Sequence, residues 1–188
     1  MRSGPRQRLI AAAIELVSER GVDGAGLTDL LARSSSARRS IYQHFPGGKV
    51  ELIEASTRAA GEWMRRAIRQ FGAAKDAPAL LTEMIRQVAA SLVGSDYRLG
   101  CPIAAAAVVS ADASGVREAA AAVFAGWVEE IEAMLVRDGR ERDEAHSLAG
   151  FLVSAVEGAM LCARATRSTE PLDQAAENLT RLLTASNS

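Results

Sequence analysis

Aromatic residues make up only 4% of this 188-residue chain, and runs of β-branched residues are few. Much of the 48% hydrophobic share is alanine and leucine, so helices are favoured over strands. Cysteine is scarce: Cys101 and Cys162 lie far apart and form no Cys-x-x-Cys pair, which argues against a disulfide framework or a zinc finger. The two histidines, His44 and His146, have no acidic or cysteine neighbours at ligand spacing, so no metal and no cofactor is expected. No Ser/His/Asp, paired-carboxylate or metal constellation stands out, which leaves an all-α enzyme as a poor alternative. There is no uninterrupted apolar run of 18 residues, so no membrane span is expected. The N-terminal segment MRSGPRQRLIAAAIELVSER carries charge at both ends and Glu15 within, which suits an amphipathic helix and not an export signal. A cytoplasmic protein is the expectation.

What is present is an uneven charge. Residues 1–49 hold eight Lys/Arg and four Asp/Glu, net +4, while residues 50–188 are net −5. A basic first quarter points to a local polyanion contact. Periodicity predicts nine helices and no strand. The first runs from about Pro5 to Arg20, with Ile10, Ile14 and Val17 at helical spacing, Leu9 and Ala13 beside them and Gly21 past its end. Leu27, Leu30 and Leu31 mark a second, short helix with Gly26 as its cap. A third runs from about Ala37 to Phe45, stopped by Pro46-Gly47-Gly48. Two short helices joined by a tight turn form a helix-turn-helix, whose second helix enters the DNA major groove. From Lys49 a long helix runs to about Phe71, and Gly72 to Ala77 breaks it. Further helices are expected from Pro78 to Val93, Ile103 to Val109, Ser114 to Asp138, Asp143 to Thr166 and Leu172 to Ala185. The expected division is residues 1–48 for DNA binding and 49–188 for ligand binding and dimerisation.

The stretch SSSARRSIYQHF, residues 34–45, carries the chemistry. On a helical wheel Ala37, Ile41 and Phe45 share one face, which must dock on the first two helices. Arg39 and Gln43 share the opposite face. Arginine pairs bidentately with guanine and glutamine with adenine, so these two are placed to read bases. Arg38 and Tyr42 lie on one rim and Ser40 and His44 toward the other; all four are candidate DNA-binding residues, with Arg38, Tyr42 and His44 placed for phosphates. Thr28 and Lys49, at the starts of their helices, lie where N–H groups attract phosphate.

The run GLTDLLARSSSARRSIYQHFPGGKVEL resembles the DNA-binding domain of TetR-family transcriptional regulators, with Tyr42, His44, Phe45 and Lys49 fitting the family pattern. The PGG form, GCPIAAAA at 100–107 and VEGAMLCARATRSTEPL at 156–172 are similar to the LmrA/YxaF-like branch. The resemblance implies a homodimer on a palindromic operator, packed through the last two long helices, and a repressor released by a small hydrophobic effector. A constitutive repressor without an inducer is the alternative. Two departures stand out: Ser35 replaces a usual glycine in the turn, and Arg39 replaces a usual small residue.

In the second part, Trp63, Met64, Met84, Val88, Phe124, Trp127 and Phe151 are apolar at helical spacing and are candidates for a ligand pocket, although ordinary core residues look the same. Glu157 sits in the apolar run FLVSAVEGAMLCA, where it faces a ligand, pairs with an arginine such as Arg164 across a dimer, or is exposed. Gly150, Ser154, Gly158 and Cys162 recur every four residues and form a small-residue face suited to close helix packing between subunits.

Overall fold

The computed structural model describes residues 4–74, 76–110 and 113–185, and among these it contains nine helices and no strand. They are α1 (Pro5–Gly24), α2 (Leu27–Ser34), α3 (Arg38–His44), α4 (Gly48–Ala74), α5 (Ala77–Gly94), α6 (Pro102–Ala107), α7 (Ser114–Arg137), α8 (Arg142–Thr166) and α9 (Glu170–Ala185). The all-α expectation therefore holds. Of the expected break at 72–77, Lys75 lies outside the described residues; α4 itself continues to Ala74, and α5 begins at Ala77.

The chain forms two compact units, Met1–Trp63 with Cys101–Val123, and Met64–Gly100 with Phe124–Ser188. Both α4 and α7 contribute to each.

In the first unit α1 packs on α2, α3 and α6. Its buried stripe is Leu9, Ala12, Ala13, Leu16 and Val17. Ile10 and Ile14, expected at its centre, are only half-buried, so the stripe is turned by about one residue. Gly21, at φ 73° and ψ 177°, breaks the helix before a last short turn. A side chain is strained at that φ, so glycine fits. Arg33 of α2 reaches Glu19 at 3.0 Å and Glu15 at 3.6 Å, and Arg20 reaches Asp29 at 2.7 Å. The hydrogen bond that Arg33 donates to the Glu19 carboxylate does most to hold its guanidinium above its ordinary pKa. The α4–α7 crossing is tight in this unit. A Cβ on Gly61 would overlap both Val123 methyl groups, so only glycine lets the two helices approach this closely. Cys101 is the N-cap of α6, its Sγ accepting from Ala104 N–H at 3.5 Å.

In the second unit α5, α8 and α9 pack on one another. Buried residues are Leu80, Leu81, Ile85 and Leu92 on α5, Ala145, Ala149, Leu152 and Ala163 on α8, and Leu172, Leu179 and Leu183 on α9. Asp76 caps α5 by accepting from Ala79 N–H at 3.0 Å. The largely buried Arg140 side chain donates to the Leu183 carbonyl near the end of α9 at 2.8 Å, where a cation is favoured by the helix dipole. Arg167, left-handed at φ 53°, closes α8 and bonds Asp96 while lying 5.6 Å from the Tyr97 ring centroid. The guanidinium of Arg164 lies against Gly100, where a Cβ would come within 2.8 Å of Nη1.

Among the described residues α8 is the one helix long and apolar enough to cross a bilayer, with mean hydropathy 1.5 over its most apolar 18 residues, although that run is interrupted by Glu157. It packs instead on α5 and α9 along its buried alanines, and 17% of that stretch is buried within this chain.

The α4–α7 contact in this unit is ionic. Arg65 donates to Glu130 at 2.9 Å and Arg69 binds both of its carboxylate oxygens, while Glu129 stands 3.6 Å from Arg65. The Arg69 hydrogen bond, then that of Arg65, holds Glu130 below the usual carboxylate range against the opposing effect of burial. Because folding lowers this pKa, its stabilisation is complete above the ordinary glutamate value of about 4.3 and is lost as pH falls through the folded value. Glu130→Gln is expected to cost about 1 kcal/mol at pH 7. Urea midpoints of variant and parent are expected to converge as pH falls below the ordinary glutamate value, and a gap independent of pH would show that the contact is not ionic.

Candidate nucleic-acid interface

A seven-residue helix such as α3 is too short to be stable alone and takes its position from packing. Ile41 is fully buried and Phe45 is 1% exposed. Opposite them Arg38, Arg39, Tyr42 and Gln43 are all exposed, and Ser40 and His44 are half-buried on the flanks. This is the division the wheel predicts, with one correction. Ala37 does not dock: it is exposed, extended at φ −77° and ψ 152°, and serves as the N-cap. Its place under the turn is taken by Ser34, which is 2% exposed.

Arg38 and Arg39 differ from the arginines that build the frame. Among the described residues neither side chain has a hydrogen-bond or ion-pair partner, whereas Arg20, Arg33 and Arg58 are all paired with carboxylates. Two exposed, unneutralised guanidinium groups on one helix make a local positive surface. Thr28 is exposed on the first turn of α2, and Lys49 is half-buried on the first turn of α4. At that second turn the Glu51 carboxylate already accepts from Gly47 N–H at 2.6 Å, so a phosphate arriving there competes with an internal anion.

Two turns fix the helix ends. Before α3, Ser35 is left-handed at φ 49° and ψ 43°, closing α2 as a glycine normally does. Its N–H bonds the Ala32 carbonyl at 3.2 Å, and Ser36 N–H bonds Leu31 at 3.1 Å. The usual glycine is gone, and its backbone shape is kept. After α3, Gly48 has φ 71°, and its N–H returns to the Phe45 carbonyl at 2.8 Å. The Tyr42 ring lies beside it.

The candidate effector residues are spread out. Trp63 belongs to the first unit and is 65% exposed. In the second unit Met64, Met84, Val88 and Phe124 are half-buried and Trp127 is buried, with Phe124 edge-on to Trp127 at 5.4 Å between ring centres. Glu157 is half-buried. Phe151 is 53% exposed and lines an open groove with Leu148, Ser147 and Leu182, rimmed by Arg140 and Glu144. Of the small-residue face, Gly150 is half-buried and Ser154, Gly158 and Cys162 are exposed; a Cβ on either glycine would meet nothing within 4 Å. Leu161 beside them is 69% exposed.

Two family models match the chain. Residues 9–56 match the bacterial regulatory proteins of the tetR family, and residues 77–178 match the C-terminal domain of LmrA/YxaF-like transcriptional regulators. The uncharacterized HTH-type transcriptional regulator Rv0196 of Mycobacterium tuberculosis is 36% identical over 188 residues, covering 97% of this chain and 95% of that one. The chain belongs to the TetR family. It is a DNA-binding transcriptional regulator with an LmrA/YxaF-like C-terminal domain, and not an enzyme. The fold is shared with solved TetR structures. A regulator from Legionella pneumophila superposes with TM-score 0.85 at 19% identity, over 96% of this chain and 98% of that one. A cysteine mutant of the regulator CifR, solved on a 26-base-pair operator duplex, superposes with TM-score 0.80 at 21% identity, over 96% and 97%.

The reading of the sequence did not single out Arg6, Arg8 and Glu51, although their contacts fix the ends of α3 and the start of α4. Their basic or acidic character was visible; their long-range partners were not.

The two left-handed positions should respond oppositely to substitution. Ser35→Gly is expected to stabilise the chain and Gly48→Ala to destabilise it, each by about 1 kcal/mol. At Gly48 the cost is backbone strain, because the nearest atom to a new Cβ, Tyr42 Cε1, is at an ordinary 3.5 Å. Thermal unfolding of both variants checks this; a destabilised Ser35→Gly chain would contradict it.

Proposed function

We propose that this protein is a repressor that binds a palindromic operator as a homodimer and leaves it when a small hydrophobic effector binds. The observation that carries the DNA contact is the pair of exposed, unpartnered arginines on a helix anchored by Ile41 and Phe45. Arg39 and Gln43, one turn apart, read base edges; Arg38, Tyr42, Ser40, His44, Thr28 and Lys49 hold phosphates and set the register. Occupying an operator excludes polymerase without any further activating surface, which favours repression. Such a protein works in the cytoplasm, where the bacterial chromosome lies.

The dimer rests on α8. Phe151, Leu161, Gly158 and Cys162 form an uncovered face of a strongly apolar helix, and a second copy meeting it about a two-fold axis covers both at once. Two-fold symmetry in the protein then requires two-fold symmetry in the operator. The effector reading rests on Met64, Met84, Val88, Phe124 and Trp127, none exposed, with Glu157 as the polar group that orients a bound molecule. The effector acts through α4, which begins one turn beyond the reading helix and continues into the second unit. It shifts the population toward a conformer whose two heads no longer match successive major grooves about 34–36 Å apart.

Arg39→Ala is expected to relax preference at one operator position at a cost of about 1–3 kcal/mol. Arg38→Ala or Lys49→Ala is expected to weaken every duplex alike and to reduce the salt slope by about 1. Binding to duplexes varied at each position, measured across a salt series, separates the two. If Arg39→Ala left the preference profile unchanged, the base-reading assignment would be wrong.

Gly158→Arg places a long charged chain on the uncovered face, at a position where a new Cβ meets nothing within 4 Å. Sedimentation is expected to show a dimer for the parent and a monomer for the variant, with weaker operator binding. A variant that stays dimeric would place the interface elsewhere.

A further inference from the structure

The first turn of α1 holds the reading helix at both of its ends. Arg8 Nε donates to the Ser34 carbonyl at 3.1 Å, 26 residues away, at the turn that leads into α3. Two positions earlier, Arg6 stacks over the Phe45 ring, 5.2 Å from its centre, at the residue that closes α3. Both arginines belong to the basic N-terminal segment, whose charge by itself suggests phosphate contact. The geometry shows that each is occupied within the protein.

The Ser34 carbonyl is the reason Arg8 matters. It is one of the last carbonyls of α2, which have no partner inside the helix. Those of Leu31 and Ala32 are taken by the N–H groups of Ser36 and Ser35. Ser34 is 2% exposed, so water cannot readily serve its carbonyl. Two donors converge on it instead: Arg8 Nε and, at 3.2 Å, the Ser36 hydroxyl. The arginine also sets a cation at the C-terminal end of α2, which the dipole favours. The next residue is the left-handed Ser35, whose backbone shape comes at a cost to any side chain and has to be held by its surroundings. Loss of Arg8 leaves the Ser36 hydroxyl in place, so the carbonyl is not orphaned and the fold survives. What is lost is the tie from α1 to the turn, and with it the fixed direction in which α3 leaves.

We propose that Arg8, assisted by Arg6, is a positioning residue for operator recognition: it sets the pose of α3 and so the aim of Arg39 and Gln43, without itself contacting DNA. This rests on the assignment of α3 as the reading helix. Direct contact and positioning make different demands on non-specific binding. A phosphate contact serves every sequence and adds to the salt slope. A positioning residue serves only the sequence whose base edges must be met within a fraction of an ångström.

The test uses the full chain. A duplex is first selected from a random pool by the parent protein, and a scrambled duplex of equal length serves as control. Affinities for both are measured over a salt series for the parent, Arg8→Ala, Arg8→Lys and Arg6→Ala, with thermal midpoints recorded alongside. Arg8→Ala is expected to lose roughly tenfold of the preference for the selected duplex, the worth of one charged hydrogen bond, with the scrambled affinity and the salt slope unchanged. Arg8→Lys, which keeps a donor and a charge, is expected to recover part of that preference. Arg6→Ala removes no hydrogen bond to a buried carbonyl, and it is expected to show the same pattern more weakly, which keeps the proposal open to test if Arg8→Ala fails to fold. Equal loss on both duplexes with a slope reduced by about 0.9 would make Arg8 a phosphate contact and overturn the proposal. An unchanged preference in both alanine variants would also overturn it. A parent protein that selects no sequence from the pool would instead overturn the assignment of α3, and the proposal with it.

Discussion

The burial of Ile41 and Phe45 is the contact on which the DNA-reading surface depends. Seven residues of helix do not hold together in water, and α3 exists because these two side chains are fully enclosed by the first unit. Once they are inside, the 100° step of the helix leaves no choice for the rest. Arg39 and Gln43 must face out, and Arg38 and Tyr42 must flank them. The chemistry of the exposed face is therefore set by the apolar residues behind it. Fixing the axis is not sufficient, because a helix pinned at two points can still lean. The serine turn, the Gly48 turn and the two arginines of α1 restrict that freedom from both ends.

The second unit works under a different constraint. Its α8 is apolar over most of its length, yet its buried residues are mainly alanines on one side, while Phe151 and Leu161 remain exposed. A single chain offers too little surface to cover such a helix. Gly150 and Gly158 leave open space on its uncovered side, which suits the close approach of the second copy proposed above. In the α4–α7 pair the two units use different chemistry. Gly61 against Val123 works by close approach, and Arg65 and Arg69 on Glu130 work by charge. Close packing is insensitive to pH and salt, whereas the ionic clamp responds to both.

Much of this was legible in the sequence, and the failures have particular causes. Nine helices, the helix-turn-helix and the outward face of α3 followed from apolar spacing and from glycine and proline at the boundaries. Ala37 was misplaced because a wheel treats every residue as helical, whereas the first position of a helix is extended and points elsewhere. The α1 stripe was displaced by one residue because isoleucine outweighs alanine in any apolar pattern, although Ala12 and Ala13 are the ones buried. As a serine Ser35 gave no sign of its left-handed backbone, which glycine or asparagine ordinarily announces; only the family resemblance, with a usual glycine at that place, pointed to it. Arg8 could not be assigned from spacing at all: its partner is 26 residues away and is a backbone carbonyl, an atom every residue possesses.

Net charge says only that cations outnumber anions; it does not say which cations are available. In residues 4–49 the arginines fall into two groups. Arg6, Arg8, Arg20 and Arg33 are engaged with a ring, a carbonyl or carboxylates of the same unit. Arg38 and Arg39 have no such engagement among the described residues. Only the second group can turn toward a polyanion without breaking a contact. The charge of the segment thus overstates the cationic surface it can offer a polyanion, and in the proposed reading Arg8 and Arg6 serve recognition by holding the others in place. Arg38 and Arg39 differ in turn by one 100° step, which in the proposed complex sets one beside the groove floor and the other at its rim. On that reading, adjacent identical residues on a short helix take different tasks by rotation alone.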